Sequence, residues 1–207
     1  MPEASTTDGR TARRDRNRLA VLDAVLELFS EDNLTPTPEQ VAQRSGLSLR
    51  SVYRYVADRD DLIRAAIERH LDLIAPLFVI EGFAQGPLDQ RIERFVGARI
   101  RLYEAIAATH RATRIRAPES ELLRDGLDNG RRLMREQLER QFARELHGGE
   151  PARRRAVLAA ADALTQIETI EHYRVHRRFS STETEELLVA ALAMLLGPTI
   201  DMKPDTT

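Results

Sequence analysis

Apolar residues recur every three or four positions along most of the chain, which is the spacing of an amphipathic α-helix. The first such run starts at Arg16 and places Leu19, Leu22, Leu26 and Phe29 on one face, with charged residues between them. The strict alternation of apolar and polar residues that is typical of a β-strand does not occur in the sequence. The pattern therefore predicts an all-α fold.

Two short helices joined by a tight turn are predicted after this run. Thr37 is suited to cap the first of them, Pro38 to occupy its first position, and Gln40 to complete a capping box. Gly46 ends that helix, because a left-handed backbone is cheap only for glycine. Ser48 then caps the next helix.

That next helix has two unlike faces. Val52 and Val56 lie on one face when the sequence is wound at roughly 100° per residue. The other side presents hydrogen-bonding side chains: Arg50, Ser51, Tyr53 and Arg54. An anchored apolar face and an outward polar face, after a glycine turn, are typical of the recognition helix of a helix-turn-helix unit. Arg50 is then placed to reach guanine O6 and N7, and Arg54 a base or a phosphate.

The spacing leaves other interpretations open. A small helical bundle with a solvated arginine face has the same pattern, and helix-turn-helix units also bind proteins. If the unit binds DNA, the helix N-termini at Thr37 and Ser48 offer backbone N–H groups to phosphates.

Further helices are predicted towards the C-terminus. Asp58 caps a helix that runs from about Leu62 towards Phe78 and bends at Pro76. The loop EGFAQGP follows, and after it four longer helices are predicted at about 88–115, 119–146, 152–178 and 183–197. The expected division is a disordered tail at 1–12, a helix-turn-helix DNA-binding domain at 13–70, a helical effector-binding and dimerisation domain at 71–200, and a second tail at 201–207.

The amino-acid composition is that of a globular protein without disulfides. The 207 residues are 42% hydrophobic and 31% charged, which is typical of a globular protein. The absence of cysteine excludes disulfides and thiolate zinc sites and fits a cytoplasmic location. We expect no signal peptide and no membrane span.

The net charge of −2 does not indicate a nucleic-acid binder, but the distribution of charge is uneven. Arginines crowd the N-terminus: Arg10, Arg13, Arg14, Arg16 and Arg18. Such a run either contacts phosphates or is a solvated tail.

The segments VLDAVLELFSEDN and TPEQVAQRSGLSLRSVYRYVADRDDLIRAAIE, roughly residues 16–70, resemble the DNA-binding domain of the tetracycline-repressor (TetR) family of bacterial transcription regulators. The resemblance implies a non-enzymatic, ligand-responsive repressor that binds a palindromic operator in double-stranded DNA as a homodimer. It implies that Thr37 and Ser48 cap DNA-facing helices. The residues that it places at the groove or its walls are Leu49, Arg50, Ser51, Tyr53 and Arg54, and those at phosphates are Tyr55 and Arg59. Two residues depart from the family pattern, in which a lysine is common at Leu49 and an aromatic residue at Val56.

The C-terminal region is expected to bind a small-molecule effector and to form the dimer. Residues 183–197 are apolar nearly all round, and the helix before them is rich in alanine. Both helices are therefore expected to be buried against other helices. A four-helix interface between two chains satisfies both, and a helix pair buried within one chain is the alternative. The predicted interface residues are Ala160, Leu188, Leu192 and Leu195. The predicted effector pocket, which an ordinary filled core would equally explain, comprises Phe95, Leu102, Tyr103, Met134, Gln137, Leu138, Leu164, Ile167 and Tyr173.

Two further clusters of polar residues are considered as binding sites. Glu168, His172 and His176 lie four apart, but no further ligand is identifiable, so no metal and no cofactor is predicted. A second cluster could bind an acidic effector, contact the DNA-binding domain or be merely solvated: His110, Arg111, Arg114 and Arg116. An all-α enzyme and an interaction protein that does not bind DNA remain the competing classes.

Overall fold

The computed structural model describes residues 5–146 and 150–197, and over these residues the chain forms helices and no strand. The helices are α1 (Ser5–Ser30), α2 (Pro38–Ser45), α3 (Leu49–Val52), α4 (Arg59–Ile74), α5 (Leu88–Arg116), α6 (Glu121–Gln141), α7 (Ala143–Leu146), α8 (Pro151–Thr165), α9 (Ile167–Glu171) and α10 (Ser181–Leu196). Short 3₁₀ turns follow α4 and α5, at Ala75–Phe78 and Ala117–Glu119, and a π-helical turn, His172–His176, continues α9. The predicted all-α fold is confirmed.

Helix α1 starts earlier than the sequence indicated. It begins at Ser5, so residues 5–12, which we expected to be a disordered tail, are helical. Local propensity does not account for this extension, because most of residues 5–12 are serine, threonine, aspartate or glycine. The predicted tail at 201–207 lies outside the described residues.

The local signals around α2 and α3 are confirmed. The Thr37 hydroxyl accepts from the Gln40 N–H at 3.4 Å, and the Gln40 side chain accepts from the Thr37 N–H at 2.8 Å, which completes the capping box. Gly46 adopts a φ of 69°. Ser48 caps α3, and Asp58 caps α4 by accepting from the Asp61 N–H at 2.8 Å.

The single helix predicted at 152–178 is wrong. It is broken at Gln166, which is extended with φ −73° and ψ 152°, between the end of α8 at Thr165 and the start of α9. The Thr169 hydroxyl donates to the Ala163 carbonyl across the break at 2.6 Å and so satisfies a carbonyl near the end of α8. No proline or glycine marks the position, which is why the periodicity did not reveal it.

The other long helices agree closely with the prediction. Helices α5 and α10 match the expected ranges 88–115 and 183–197 to within two residues. The range 119–146 is divided into α6 and α7 at Phe142.

The chain forms two compact units. The first unit comprises residues 1–76 and 105–127, and the second comprises 77–104 and 128–207. The last turns of α5 and the first turns of α6 therefore belong with the N-terminal helices, whereas the sequence had placed everything after residue 70 in the C-terminal domain. Helices α5 and α6 each contribute to both units.

Each unit has an apolar interior. In the first, α1 packs on α2 and α4, and the most buried side chains are Val21, Leu22, Val25, Phe29, Val41, Val52, Leu62 and Ile63. In the second, the rings of Phe95 and Phe142 meet edge to face with centroids 5.2 Å apart. Leu102, Leu138 and Leu188 are each at most 1% exposed in that interior.

Candidate nucleic-acid interface

The segment that follows the glycine turn has one apolar, buried side and one polar, exposed side. Val52 and Val56 are 0% and 5% exposed, as the spacing predicted. Helix α3 itself has only four residues, Leu49–Val52, and the chain continues in turns as far as Tyr55. Arg50 and Arg54 are exposed on this segment.

Arg50 has the open position that a base-reading side chain needs. Within the described residues its guanidinium has neither a hydrogen bond nor an ion pair. Tyr53 is 50% exposed on the same segment. The hydroxyls of Ser48 and Ser51 lie 2.9 Å apart and bond to each other, and Ser48 also accepts from the Ser51 N–H at 3.2 Å. Both hydroxyls therefore take part in capping helix α3.

Tyr55 and Arg54 form one polar group at the end of this segment. Arg54 Nη2 donates to the Tyr55 hydroxyl at 2.9 Å, and its guanidinium carbon lies 5.1 Å from the centre of the Tyr55 ring. Burial raises the pKa of Tyr55, but hydrogen bonds with Arg54 and Asn17 and the charges of Arg54 and Arg14 outweigh it, so the pKa is lowered overall. The contact with α1 through Asn17 and Arg14 had no signal in the sequence spacing.

The arginines near the start of α1 lie within reach of the same surface. Arg14 is close enough to Tyr55 for its charge to lower the Tyr55 pKa. The side chains of Arg13, Arg16 and Arg18 are exposed, and that of Arg10 lies outside the described side chains.

Arg59 has a different partner from the phosphate that the resemblance implied. Its Nε donates to the Pro36 carbonyl at 3.1 Å, and its Nη2 donates to the Thr35 carbonyl. Arg59 therefore holds the loop that leads to the Thr37 cap. Leu49 is also only half exposed and packs against the core of the first unit.

Ion pairs brace the helices behind this surface. Arg44 pairs with Glu31 at 2.7 Å, which joins α2 to α1. Arg111 pairs with Asp32 at 2.8 Å, and Arg116 with Asp60. Of the three roles considered for the cluster at 110–116, contact with the N-terminal helices is therefore confirmed for two of its arginines. A cleft of about 300 Å³ beside Arg116 is lined mainly by these paired charges and their neighbours.

The residues predicted for the effector pocket lie in the interior of the second unit. Six of them are at most 5% exposed: Phe95, Leu102, Tyr103, Met134, Leu138 and Ile167. Gln137, Leu164 and Tyr173 are partly buried, and the Gln137 amide donates to the Phe78 carbonyl at 2.7 Å. Arg99, which the prediction omitted, lies against Phe95, Met134 and Gln137. Its spacing of four from Phe95 and three from Leu102 puts it on the apolar face, a signal that the sequence did contain.

Two of the predicted dimer contacts need correction. Leu188 and Leu192 are 0% exposed within one chain, because α10 packs them against its own subunit. Ala160 and Leu195 are partly buried. The alanine, leucine and methionine side chains that α8 and α10 leave exposed are instead Ala152, Ala156, Ala159, Ala163, Leu187, Ala190, Ala193 and Met194. Met194 is 80% exposed.

The acidic and histidine residues considered for a metal have other partners. Glu168 accepts from Arg131 Nη2 at 2.6 Å. The rings of His172 and His176 lie 5.7 Å apart, with His172 also against Tyr173. Within residues 5–146 and 150–197, no group of three or more histidine, cysteine, aspartate or glutamate side chains is arranged so that it could hold a metal ion. In the same ranges, no helix has the length and hydrophobicity to cross a bilayer.

Comparison with known proteins gives a relative in the helix-turn-helix class. The chain is 32% identical over 89 residues to the HTH-type transcriptional repressor LfrR of Mycolicibacterium smegmatis. That match covers 43% of this chain and 47% of the relative, so it spans about half the length of the relative. No protein-family profile matches the chain.

Solved structures extend the likeness over most of the chain. A TetR-family transcriptional regulator from Streptomyces coelicolor superposes with a TM-score of 0.69 at 26% identity, covering 87% of this chain and 80% of its own. A second protein, from Streptomyces coelicolor A3(2), gives a TM-score of 0.57 at 22% identity over 88% and 99% of the two chains, which shows the fold alone.

The two relatives above 25% identity are named as transcriptional regulators and not as enzymes. This agrees with the prediction of a non-enzymatic protein. The all-α fold and the helix-turn-helix geometry agree with the same likeness. Over most of its length the chain is therefore similar to a TetR-family transcriptional regulator, and over about 89 residues to an HTH-type transcriptional repressor.

Proposed function

We propose that the protein is a repressor that binds a palindromic operator as a homodimer and leaves it when a small molecule binds. The observation that carries the DNA-binding part is the exposed guanidinium of Arg50, which has no partner among the residues that the structure describes and lies on a segment anchored by Val52 and Val56. A bidentate arginine on guanine is the commonest specific contact in the major groove. A bacterial operator lies in the cytoplasm, so we place the protein there.

The remaining polar groups of the first unit support the same surface. The Arg54–Tyr55 pair and the exposed arginines of α1 add positive charge beside Arg50. Such charges neutralise phosphates and release counterions, which raises affinity without adding sequence specificity. We therefore assign base reading to Arg50 and Tyr53, and phosphate contact to Arg54, Tyr55 and the α1 arginines.

The homodimer is proposed from the faces that α8 and α10 leave uncovered. Exposed alanines on α8 allow close approach of a second helix, and Leu187 and Met194 add apolar area on α10. A palindromic site needs two recognition segments related by a two-fold axis, which an isologous contact between copies provides. Leu188 and Leu192 would stabilise each subunit behind that contact.

The DNA-binding proposal is tested by selecting fragments of the source genome at physiological salt and footprinting those retained. We expect a few fragments with a shared inverted repeat. Arg50→Ala should weaken binding to them much more than binding to random DNA. Arg132→Ala, which removes an exposed arginine of α6, is the matched control and should bind both as the native protein does. Retention of no fragment would instead favour a protein-interaction role.

The dimer is tested by sedimentation of Met194→Glu. A buried unpaired carboxylate costs several kcal/mol, so this variant should sediment as a folded monomer. Leu133→Glu places the same charge on another exposed apolar side chain, on α6, and should remain dimeric. A dimer that survives Met194→Glu would place the interface elsewhere.

A further inference from the structure

Two arginines are buried on α5, and their surroundings differ. Arg91 and Arg99 are each 2% exposed and lie eight residues apart, which places them about two turns apart on similar faces of the helix. Arg91 has a carboxylate partner, since its Nη1 donates to Glu145 Oε2 at 3.0 Å. It also donates to the carbonyls of Gly86 and Gln141, at 3.2 and 2.9 Å. The charge and the donors of Arg91 are therefore satisfied within the chain.

Arg99 has only neutral acceptors. Its Nη1 donates to Gln137 Oε1 at 2.6 Å, its Nη2 donates to the Met134 carbonyl at 2.8 Å, and its guanidinium carbon lies 4.5 Å from the centre of the Phe95 ring. Among the described residues, Arg99 has no ion pair and its buried Nε has no acceptor. Burial lowers the pKa of Arg99 to about 10, with the charge of Asp162 acting in the opposite direction, so Arg99 is still a cation at neutral pH.

A second buried polar atom without a partner lies at the helix break. Gln166 Oε1 has no donor within the described residues, while Gln166 Nε2 donates to Asp162 Oδ1 at 2.6 Å. Asp162 is the carboxylate whose charge acts on Arg99. The donor Arg99 Nε and the acceptor Gln166 Oε1 are thus two of the unsatisfied buried polar atoms of the second unit, and both residues interact with Asp162.

Arg99 Nε and Gln166 Oε1 indicate which groups a ligand would have to supply. A buried cation without a counterion is costly, and a carboxylate that accepts from the Nε edge of a guanidinium removes that cost. Arg99 contacts Phe95 and the Met134 carbonyl, and other residues predicted to line the pocket, Leu102 and Ile167, are buried and apolar in the same unit. A hydroxyl or N–H group on the same ligand would satisfy Gln166.

We propose that the second unit binds an apolar carboxylic acid, whose carboxylate pairs with Arg99 and whose remainder packs among the interior apolar side chains. The proposal rests on the proposed function, because it names the chemical class of the effector. Sugars and cationic drugs are excluded as effectors of this site, since neither supplies an anion to Arg99.

The test compares hexanoate and octanoate with the alcohols of equal chain length, at constant ionic strength and without DNA. We expect at least one carboxylate to raise the melting temperature of the native protein more than its alcohol does. Arg99→Met should abolish that difference while folding normally, because a buried charge replaced by an apolar side chain of similar size is often neutral or stabilising. Arg101→Met, which removes an exposed arginine of the same helix, is the matched control and should keep the response.

A second variant keeps the test decisive if Arg99→Met does not fold. Arg99→Lys keeps the charge but loses the planar pair of donors, and it should weaken carboxylate binding roughly tenfold. The proposal is wrong if carboxylates and alcohols stabilise the native protein equally, or if Arg99→Met or Arg99→Lys responds as the native protein does. Because fragment retention is measured without carboxylate, and carboxylate binding without DNA, failure of one proposal is distinguishable from failure of the other.

Discussion

Arginine has different roles in the two units of this chain. In the first unit, arginines lie at the surface, and most of those that brace helices pair with carboxylates that face water, as Arg69 does with Asp23 at 2.6 Å. In the second unit, Arg91 and Arg99 are almost completely buried on one helix. The environment of an arginine, and not its position in a charged run, therefore decides whether it supports the fold or is available to a partner.

The largest difference should be in stability. Arg91→Met leaves Glu145, whose side chain is only 14% exposed, without its cation, and breaking a buried pair costs about 3–5 kcal/mol. Arg69→Met removes an ion pair with both partners partly exposed, which is worth roughly 0.2–1 kcal/mol. Urea denaturation of both variants measures the two losses. Equal losses would mean that burial does not separate these arginines.

The next effect concerns Arg50, which has no hydrogen-bond or ion-pair partner in the described part of the chain. Arg50→Ala should cost about 1–3 kcal/mol in binding to the selected operator and relax specificity at one position in each half-site. Its free energy of unfolding should be unchanged, because Arg50 makes no contact that folding needs. Titration on operator and random DNA over a range of salt concentrations checks this. A change confined to the salt dependence would reassign Arg50 to a phosphate.

Arg59 should behave in the opposite way to Arg50. Arg59→Met removes hydrogen bonds to the Thr35 and Pro36 carbonyls, and each such bond contributes about 0.5–1.5 kcal/mol to stability. Denaturation should therefore show a loss of stability that Arg50→Ala does not show. Were Arg59→Met to weaken only DNA binding, Arg59 would be a phosphate contact, as the family resemblance implied.

The smallest effect is local to Tyr55. Arg54→Ala removes a hydrogen bond and a positive charge that lower the Tyr55 pKa, so this pKa should rise towards the value that burial alone favours. An NMR titration that resolves the Tyr55 ring from Tyr53 measures the shift. An unchanged pKa would mean that Asn17 and Arg14 determine it.

The sequence predicted the parts of the structure that depend on neighbouring residues. The caps at Thr37, Ser48 and Asp58 and the turn at Gly46 each need only a few adjacent side chains, and all four are confirmed. The buried face of Val52 and Val56 followed from helical spacing. These features were sufficient to identify the candidate interface.

The features that were missed depend on contacts distant in sequence. The break at Gln166 carries no proline or glycine, and its carbonyls are satisfied by threonine side chains. Leu188 and Leu192 lie on a helix that is apolar nearly all round, so its sequence could not tell which side meets its own subunit. Whether Arg59 faces a phosphate or a carbonyl depended on where the loop at residues 35–36 lies.

The shortness of α3 has a consequence for the energetics of recognition. The single turn Leu49–Val52 is followed by turn hydrogen bonds, such as Tyr55 N–H to the Val52 carbonyl at 2.9 Å, which are not part of a longer helix and should open more readily than the bonds inside one. Amide hydrogens at residues 53–55 should exchange with solvent much faster than those in the middle of α1, and DNA should slow them. Immobilising this segment lowers conformational entropy, so calorimetry of operator binding should show a favourable enthalpy opposed by an ordering entropy.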